Sequence, residues 1–228
     1  MCVPFNKHLG IHEQDDSFLS LDPVDMRTIR RFTDIHETMH PLNLWRIQVA
    51  KQTDVVLLMF VLGDQFSTRV KRANYEFYEP RTCHGSSLSA CIHSIVAAEI
   101  GKHDDAYQYF RHSAFMDLND FKNNVAEGVH SACLGGTWMA VVNGFAGMRS
   151  DARGLSFAPM LPAAWTGYRF RIVHRGSRIC VDVRDGTVRM ILETGPALAL
   201  RVYAKKIQLQ CARPYACALR GASIGKKS

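Results

Sequence analysis

The feature that most constrains this chain is a change in its hydrophobic period near residue 150. Upstream, Leu88, Cys91, Ile92, Ile95 and Val96 recur at the i, i+3, i+4, i+7, i+8 spacing of one helix face. Downstream, Ile179, Val181 and Val183 alternate with Cys180, Asp182 and Arg184, and Phe170 and Ile172 alternate with Arg169 and Arg171. A helix repeats its buried stripe about every 3.6 residues and a half-buried strand every two. The sequence therefore predicts helices followed by antiparallel strands, with the boundary at residues 150–155.

Four helices are expected. The run from Val55 to Leu62 is apolar all round, with Asp54 to cap its start and Gly63 its end, and reads as a buried helix. The second spans Ser86 to Ile100. The third spans Asp104 to Leu118, with Tyr107, Phe110, Ala114 and Leu118 on its stripe, and a fourth starts near Thr137 after Gly135-Gly136. In the strand half, Asp185-Gly186 between two alternating runs is a strong hairpin signal. Residues 1–50, punctuated by Pro4, Pro23 and Pro41, read as loops with short helical pieces. Periodicity disappears after Gln210, so residues 210–228 are expected to form a loose, disordered tail.

Charge divides the chain in the same place. Residues 151–228 hold 14 Lys+Arg against 4 Asp+Glu, and residues 1–150 hold 14 against 17. Without an aromatic-basic RNA-binding motif, the basic half reads as a solvated sheet face and no nucleic-acid partner is expected. No apolar run approaches the ~20 residues of a membrane helix, so no membrane partner is expected. Seven cysteines, an odd number without a C-x-x-C pair, point to a reducing cytoplasm.

Four segments carry candidate chemistry. His36-Glu37-Thr38-Met39-His40 matches H-E-x-x-H, which on a helix binds zinc with the Glu as general base. Pro41 follows at once and no amphipathic helix surrounds the motif, so the metalloprotease is the rival reading and no metal site is assigned. Lys51-Gln52 precede the apolar helix and could hydrogen-bond sugar hydroxyls. The run Tyr78-Glu79-Pro80-Arg81-Thr82-Cys83-His84-Gly85-Ser86-Ser87 brings a carboxylate, a histidine and hydroxyls to a helix start, where anions bind. Ser86 or Ser87 could equally be a simple N-cap. In Gly128-Val129-His130 and Gly135-Gly136-Thr137-Trp138, His130 could donate to phosphate, the glycines could admit a ligand to the backbone, and Trp138 could face a sugar ring. The alternative is a Gly-Gly turn before a buried helix.

Taken together these motifs resemble the maltose, trehalose and kojibiose phosphorylases of glycoside hydrolase family 65. The resemblance runs through Lys51-Gln52-Thr53-Asp54-Val55-Val56, Tyr78-Glu79-Pro80-Arg81-Thr82, Ser86-Ser87-Leu88-Ser89, Gly128-Val129-His130 and Gly135-Gly136-Thr137-Trp138. It continues through Gly144-Phe145, Gly147-Met148-Arg149, Leu155-Ser156-Phe157-Ala158-Pro159 and Arg175-Gly176, so that it covers residues 10–209. Cys83, Gly85 and Glu127 depart mildly from the family pattern.

The resemblance implies an α+β multidomain fragment. Residues 1–152 would be the C-terminal portion of an (α/α)6 catalytic barrel and residues 153–209 a small antiparallel β-sandwich. It implies inverting phosphorolysis of an α-linked glucose disaccharide, with inorganic phosphate as co-substrate and no cofactor. Lys51, Gln52 and Glu79 would bind sugar; Ser86, Ser87, His130, Gly135 and Gly136 would bind phosphate. A phosphorylase needs one catalytic acid, because phosphate replaces the activated water of a hydrolase. The family's acid is a Glu that no segment of residues 1–50 matches, so the chain is expected to hold no catalytic residue and to be inactive alone. Its expected partners are the missing N-terminal portion or a second copy. A hydrolase of the same family (trehalase or kojibiosidase type) is the alternative, with Glu79 as its base.

Overall fold

A computed structural model of the chain describes residues 4–28 and 39–220. The chain divides into two compact units, Met1–Ala140 and Val141–Ser228.

The N-terminal unit starts with a two-residue pairing of β1 (Phe5–Asn6) with β2 (Ile11–His12). Next come single 3-10 turns and the short α1 (Pro41–Leu44). The helices proper are α2 (Asp54–Val61), α3 (Thr68–Tyr78), α4 (Ser89–Glu99), α5 (His103–Ala114) and α6 (Ser131–Met139). Helix α4 is the centre of this unit: ten consecutive residues, Ser89 to Ala98, are buried. Four of the five expected stripe residues, Cys91, Ile92, Ile95 and Val96, are among them; the fifth, Leu88, is the N-cap of the helix and is 44% exposed.

Three helix expectations change. Helix α2 is buried on one side only: Val55, Val56 and Met59 are inside while Leu57 and Val61 are exposed. An all-apolar octapeptide has no polar face to reveal which side points out. Helix α5 buries Ala106, Tyr109 and Ser113. Tyr107, Phe110 and Ala114 lie half-buried beside them, and Leu118 is 78% exposed beyond the helix end. Helix α6 starts at Ser131, so Gly135-Gly136 lies inside it and not in a turn before it. Helix α3 was not foreseen; it is a largely polar helix, started by Ser67, whose side chain accepts the Val70 N–H at 3.3 Å.

Two side chains of α3 fix the entering strand. Asn74 Oδ1 accepts the His12 N–H at 2.8 Å, and the Tyr78 hydroxyl donates to the His12 carbonyl at 2.7 Å.

The C-terminal unit holds two four-stranded sheets. One has the order β10-β7-β6-β5, with β5 Gly167–His174, β6 Ser177–Arg184, β7 Thr187–Thr194 and β10 Tyr215–Ala218. The other has the order β3-β4-β8-β9, with β3 Arg149–Asp151, β4 Gly154–Phe157, β8 Leu198–Val202 and β9 Lys205–Leu209. The first is wholly antiparallel, and its core face carries Tyr168, Val183 and Val188 in one row and Ile172, Ile179 and Leu192 in another. The Asp185-Gly186 hairpin is present: Arg184 pairs with Thr187 across it, and the two turn residues have φ of 49° and 68°. Positive φ at both positions is the type I′ geometry that asparagine or aspartate followed by glycine favours.

The second sheet departs from the purely antiparallel expectation, because β4 and β8 run parallel, with Ser156 beside Arg201. Alternation gives a strand's faces but not its direction. The expected loose tail is also revised: Tyr215–Ala218 forms β10 on the edge of β7, and residues 221–228 lie outside the described residues.

On the wet face of the first sheet, Asp182 is 6% exposed and accepts from Arg169 Nε at 3.0 Å and Arg184 Nε at 2.7 Å. Burial works to raise its pKa, but these two guanidinium contacts outweigh it and hold the carboxyl below its ordinary value. The basic face is thus partly neutralised from within, as Glu193 likewise pairs Arg171 and Arg178.

Candidate active site

The segment before α2 lies against the segment before α4. Ala50 forms a parallel bridge with Thr82, the Ala50 N–H donating to the Arg81 carbonyl and the Cys83 N–H to the Ala50 carbonyl, both at 2.9 Å. Arg81 locks this junction from below: its Nε donates to Gln48 Oε1 at 3.0 Å and its guanidinium sits 4.0 Å over the Phe77 ring. Lys51 and Gln52, both exposed, follow Ala50 directly, so this bridge brings them near Cys83, about thirty residues on in sequence.

A cleft of about 550 Å³ opens here, lined by Gln52, Thr53 and Asp54 on one side and by Ala132, Gly135, Gly136, Trp138 and Met139 of α6 on the other, with Leu88, Cys91 and Ile92 between. It joins Gln52 from the sugar-side set to Gly135 and Gly136 from the phosphate-side set. Trp138 is half exposed at its edge. The two glycines contribute differently from the sequence expectation. As interior positions of α6 their N–H groups belong to the helix ladder, so they supply space and not donors. A Cβ on Gly136 would meet Cys91 Sγ at 2.4 Å, so this glycine lets α6 approach α4; Gly135 faces open space.

His130 is the residue before α6. Its N–H donates to Asp117 Oδ2 at 2.9 Å and its Nδ1 lies 2.6 Å from Asp117 Oδ1. These contacts, the side-chain one foremost, hold the Asp117 carboxyl below its ordinary pKa. With Nδ1 held, Nε2 is the ring nitrogen left to meet a ligand. Asp117 was not a sequence candidate; nothing but the fold brings it to a histidine thirteen positions on.

Of the residues that the resemblance assigns to sugar or phosphate, only Gln52, Gly135 and Gly136 line the cleft; Lys51, Ser86, Ser87 and His130 do not, and neither does Glu79. It is 8% exposed and accepts from the Tyr109 hydroxyl at 2.7 Å, with Arg27 Nη1 at 4.0 Å. Ser86 and Ser87, expected at the start of a helix, form a turn ahead of α4, which begins at Ser89 with Leu88 as its N-cap. Ser86 Oγ accepts the Leu88 N–H at 3.3 Å. Both serines remain half-buried.

The H-E-x-x-H segment does not gain support. His36 and Glu37 lie outside the described residues. His40 has extended backbone, φ −61° and ψ 135°, and its Nδ1 accepts the Leu42 N–H at 3.3 Å as the N-cap of α1, which Pro41 opens. A helix carrying both histidines on one face would have to continue where this one starts. Among the described residues no cluster of three His, Cys, Asp or Glu could hold a metal ion.

Family models match both units. Residues 1–139 match the Glycosyl hydrolase family 65 central catalytic domain, and residues 148–209 match the Glycosyl hydrolase family 65 C-terminal domain. The chain belongs to glycosyl hydrolase family 65. Curated relatives include an alpha,alpha-trehalose phosphorylase of Geobacillus stearothermophilus, 43% identical over 210 residues, which are 92% of this chain and 28% of the relative. A kojibiose phosphorylase of Halothermothrix orenii is 40% identical over 82% of this chain and 24% of its own length. A maltose phosphorylase of Bacillus subtilis is 36% identical over 92% and 28%. The solved structure named "Putative kojibiose phosphorylase from human microbiome" superposes with a TM-score of 0.88 at 33% identity, over 96% of this chain and 29% of that one. The chain thus spans under a third of the length of the relatives it matches. Among the described residues no helix is long and apolar enough to cross a membrane.

Proposed function

We propose that this chain carries the C-terminal share of the active site of an inverting α-glucoside phosphorylase, which converts an α-linked glucose disaccharide and phosphate to β-glucose 1-phosphate and glucose. The helices of residues 1–139 would form part of an (α/α)6 barrel, working in the cytoplasm.

The observation that carries this reading is the cleft that joins Gln52 to the α6 segment, in a chain whose named relatives act on trehalose, maltose and kojibiose as phosphorylases. Lys51 and Gln52 would hydrogen-bond the glucose hydroxyls, with Glu79 behind them. Phosphate would be held by Ser86, Ser87 and His130 near the start of α6, beside the open face at Gly135, while Gly136 sets the close approach of α6 to α4. The first-turn N–H groups of Ala132 and Cys133 have no carbonyl one turn back within α6, and a helix start favours an anion. Asp117 holds His130 through Nδ1, which leaves Nε2 as the ring nitrogen that would meet the anion.

The hydrolase reading is weaker. An inverting hydrolase needs a carboxylate base with a water against it. Glu79 is instead buried and engaged by Tyr109. The same engagement argues against Glu79 as the acid.

We therefore expect the 228-residue chain alone to yield no β-glucose 1-phosphate above background when incubated with phosphate and maltose, trehalose, kojibiose or nigerose. Turnover with any of the four would show that a carboxylate of these residues serves as the acid, and Glu79→Gln would then be the first variant to assay.

A further inference from the structure

The cleft is polar on one side only. Most of its lining is carbon and sulfur surface, chiefly from Leu57, Leu88, Cys91, Ile92, Trp138 and Met139. Three consecutive residues, Gln52, Thr53 and Asp54, supply the polar wall, and Asp54 is the one carboxylate in the lining.

The helix that follows does not explain this wall. Thr53 is the N-cap of α2 and is 6% exposed, yet its hydroxyl caps no N–H of the helix. An N-cap threonine ordinarily accepts such an N–H. Here the buried side chain lines the cleft with that capacity unused. Asp54 comes next, as the first residue of α2. A carboxylate there suits the helix dipole, which asks for no particular orientation. This one is oriented: Gln14 Nε2 donates to Asp54 Oδ2 at 2.8 Å, across forty positions of sequence. The opposite setting of the amide would bring two acceptors face to face. The setting adopted leaves Gln14 Oε1 buried with no hydrogen-bond partner among the described residues. An unpaired buried carbonyl is destabilising, so the chain gives up stability at Gln14 while it holds one oxygen of Asp54. Oδ1 is the oxygen left to meet a ligand.

We propose that Asp54 is a further sugar-binding residue of this cleft, accepting from a hydroxyl of the glucose unit through Oδ1, and that Gln14 is its positioning residue. The proposal rests on the sugar reading given above. A hexose presents neighbouring hydroxyls, each able to donate and to accept. The wall matches them with an amide and a hydroxyl that do both and a carboxylate that accepts. The apolar side, with Trp138 half exposed at its edge, suits the C–H face of the ring. The same carboxylate disfavours phosphate at this wall, because like charges repel. Asp54 thus keeps the sugar and the anion on their own sides of the cleft.

The test is a titration of the full chain with glucose, followed by NMR and repeated with each monodeoxyglucose and with inorganic phosphate. In the wild-type chain the side-chain amide of Gln14 is expected to shift saturably with glucose, since its acceptor gains a second donor. At least one deoxyglucose should bind about tenfold more weakly than glucose, the size expected for losing one hydrogen bond to a charged group. That penalty should vanish in Asp54→Ala, shown to be folded by its melting curve. The same variant should bind glucose about tenfold more weakly and phosphate as well as the wild type or better. Gln14→Ala should weaken glucose about threefold, the low end for one lost hydrogen bond, and leave phosphate unchanged.

Deoxyglucose penalties that all persist in Asp54→Ala overturn the proposal. So does equal weakening of glucose and phosphate, which a purely structural role at the start of α2 would give. Saturable glucose binding that leaves the Gln14 amide unmoved overturns the proposal alone. No saturable binding of glucose to the folded wild-type chain overturns the sugar reading, and the proposal with it.

Discussion

Phe145→Ala is expected to destabilise the C-terminal unit by about 3–5 kcal/mol, the range for deleting a large buried aromatic ring. Phe145 is completely buried. Its ring meets Trp165 edge-on at 5.0 Å, and its carbonyl accepts from both the Tyr168 hydroxyl at 3.0 Å and the Met160 N–H at 2.7 Å. The residue thus joins the segment leading into the sheets to the loop before β5, and its neighbours are fixed by backbone bonds that limit how far they can collapse into the gap. Phe145→Leu, which keeps most of the volume, should cost much less. Equal costs for alanine and leucine, measured by chemical denaturation, would show that packing of the ring is not what matters at this position.

The second large effect is a contrast between adjacent glycines. Gly136→Val should cost about 3 kcal/mol, the upper part of the overpacking range, because its Cβ alone would lie 2.4 Å from Cys91 Sγ and 2.9 Å from Cys91 Cβ. The helices α4 and α6 would have to part, and the cleft between them would change shape. Gly135→Ala should do the reverse. Nothing lies within 4 Å of a Cβ at Gly135, and alanine in an exposed helix interior gains up to about 1 kcal/mol over glycine. The Gly136→Ala variant combined with Cys91→Ala should recover part of the loss, because the nearer of the two obstructing atoms is gone, while Cys91→Ala alone should not stabilise. Melting temperatures that move in the same direction for Gly135→Ala and Gly136→Ala would contradict the placement of this pair inside α6.

Those two glycines also mark where the sequence ceases to be legible. A Gly-Gly pair is a common turn signal, but here one glycine is required by a neighbouring helix, a fact carried by Cys91 forty-five residues earlier. Local signals were readable where local physics decides: the stripe of α4 and the Asp185-Gly186 hairpin depend on residues within one or two turns of each other. The run at α2 concealed its exposed side because all its residues are apolar. The stripe of α5 was displaced by one position because Tyr109 and Ser113, polar enough to be taken for flanking residues, are the ones that face inward. The edge strand Tyr215–Ala218 has small residues at three of its four positions, and its pairing comes from β7 and not from its own pattern.

The site divides in the same way. The motifs containing Lys51, Gln52, Ser86, Ser87 and His130 stand out as residue types, and their family resemblance is what ordered them. Their partners do not stand out. Asp117 and Tyr109 acquire their roles only when segments separated in sequence meet, and a lone tyrosine in an amphipathic helix gives no signal that it engages Glu79. Arg81 was visible as part of a motif, but its contacts are to Gln48 and Phe77, so it builds the site without lining it.

The central claim is that phosphate binds these residues, and the most direct measurement is a titration of the intact chain with inorganic phosphate followed by backbone and histidine NMR. Saturable shifts confined to Ser86, Ser87, His130 and the first turn of α6, abolished by His130→Ala and weakened by Asp117→Asn, are the predicted result. Saturable shifts centred elsewhere, or no saturable shifts while the spectrum shows a folded chain, would contradict it.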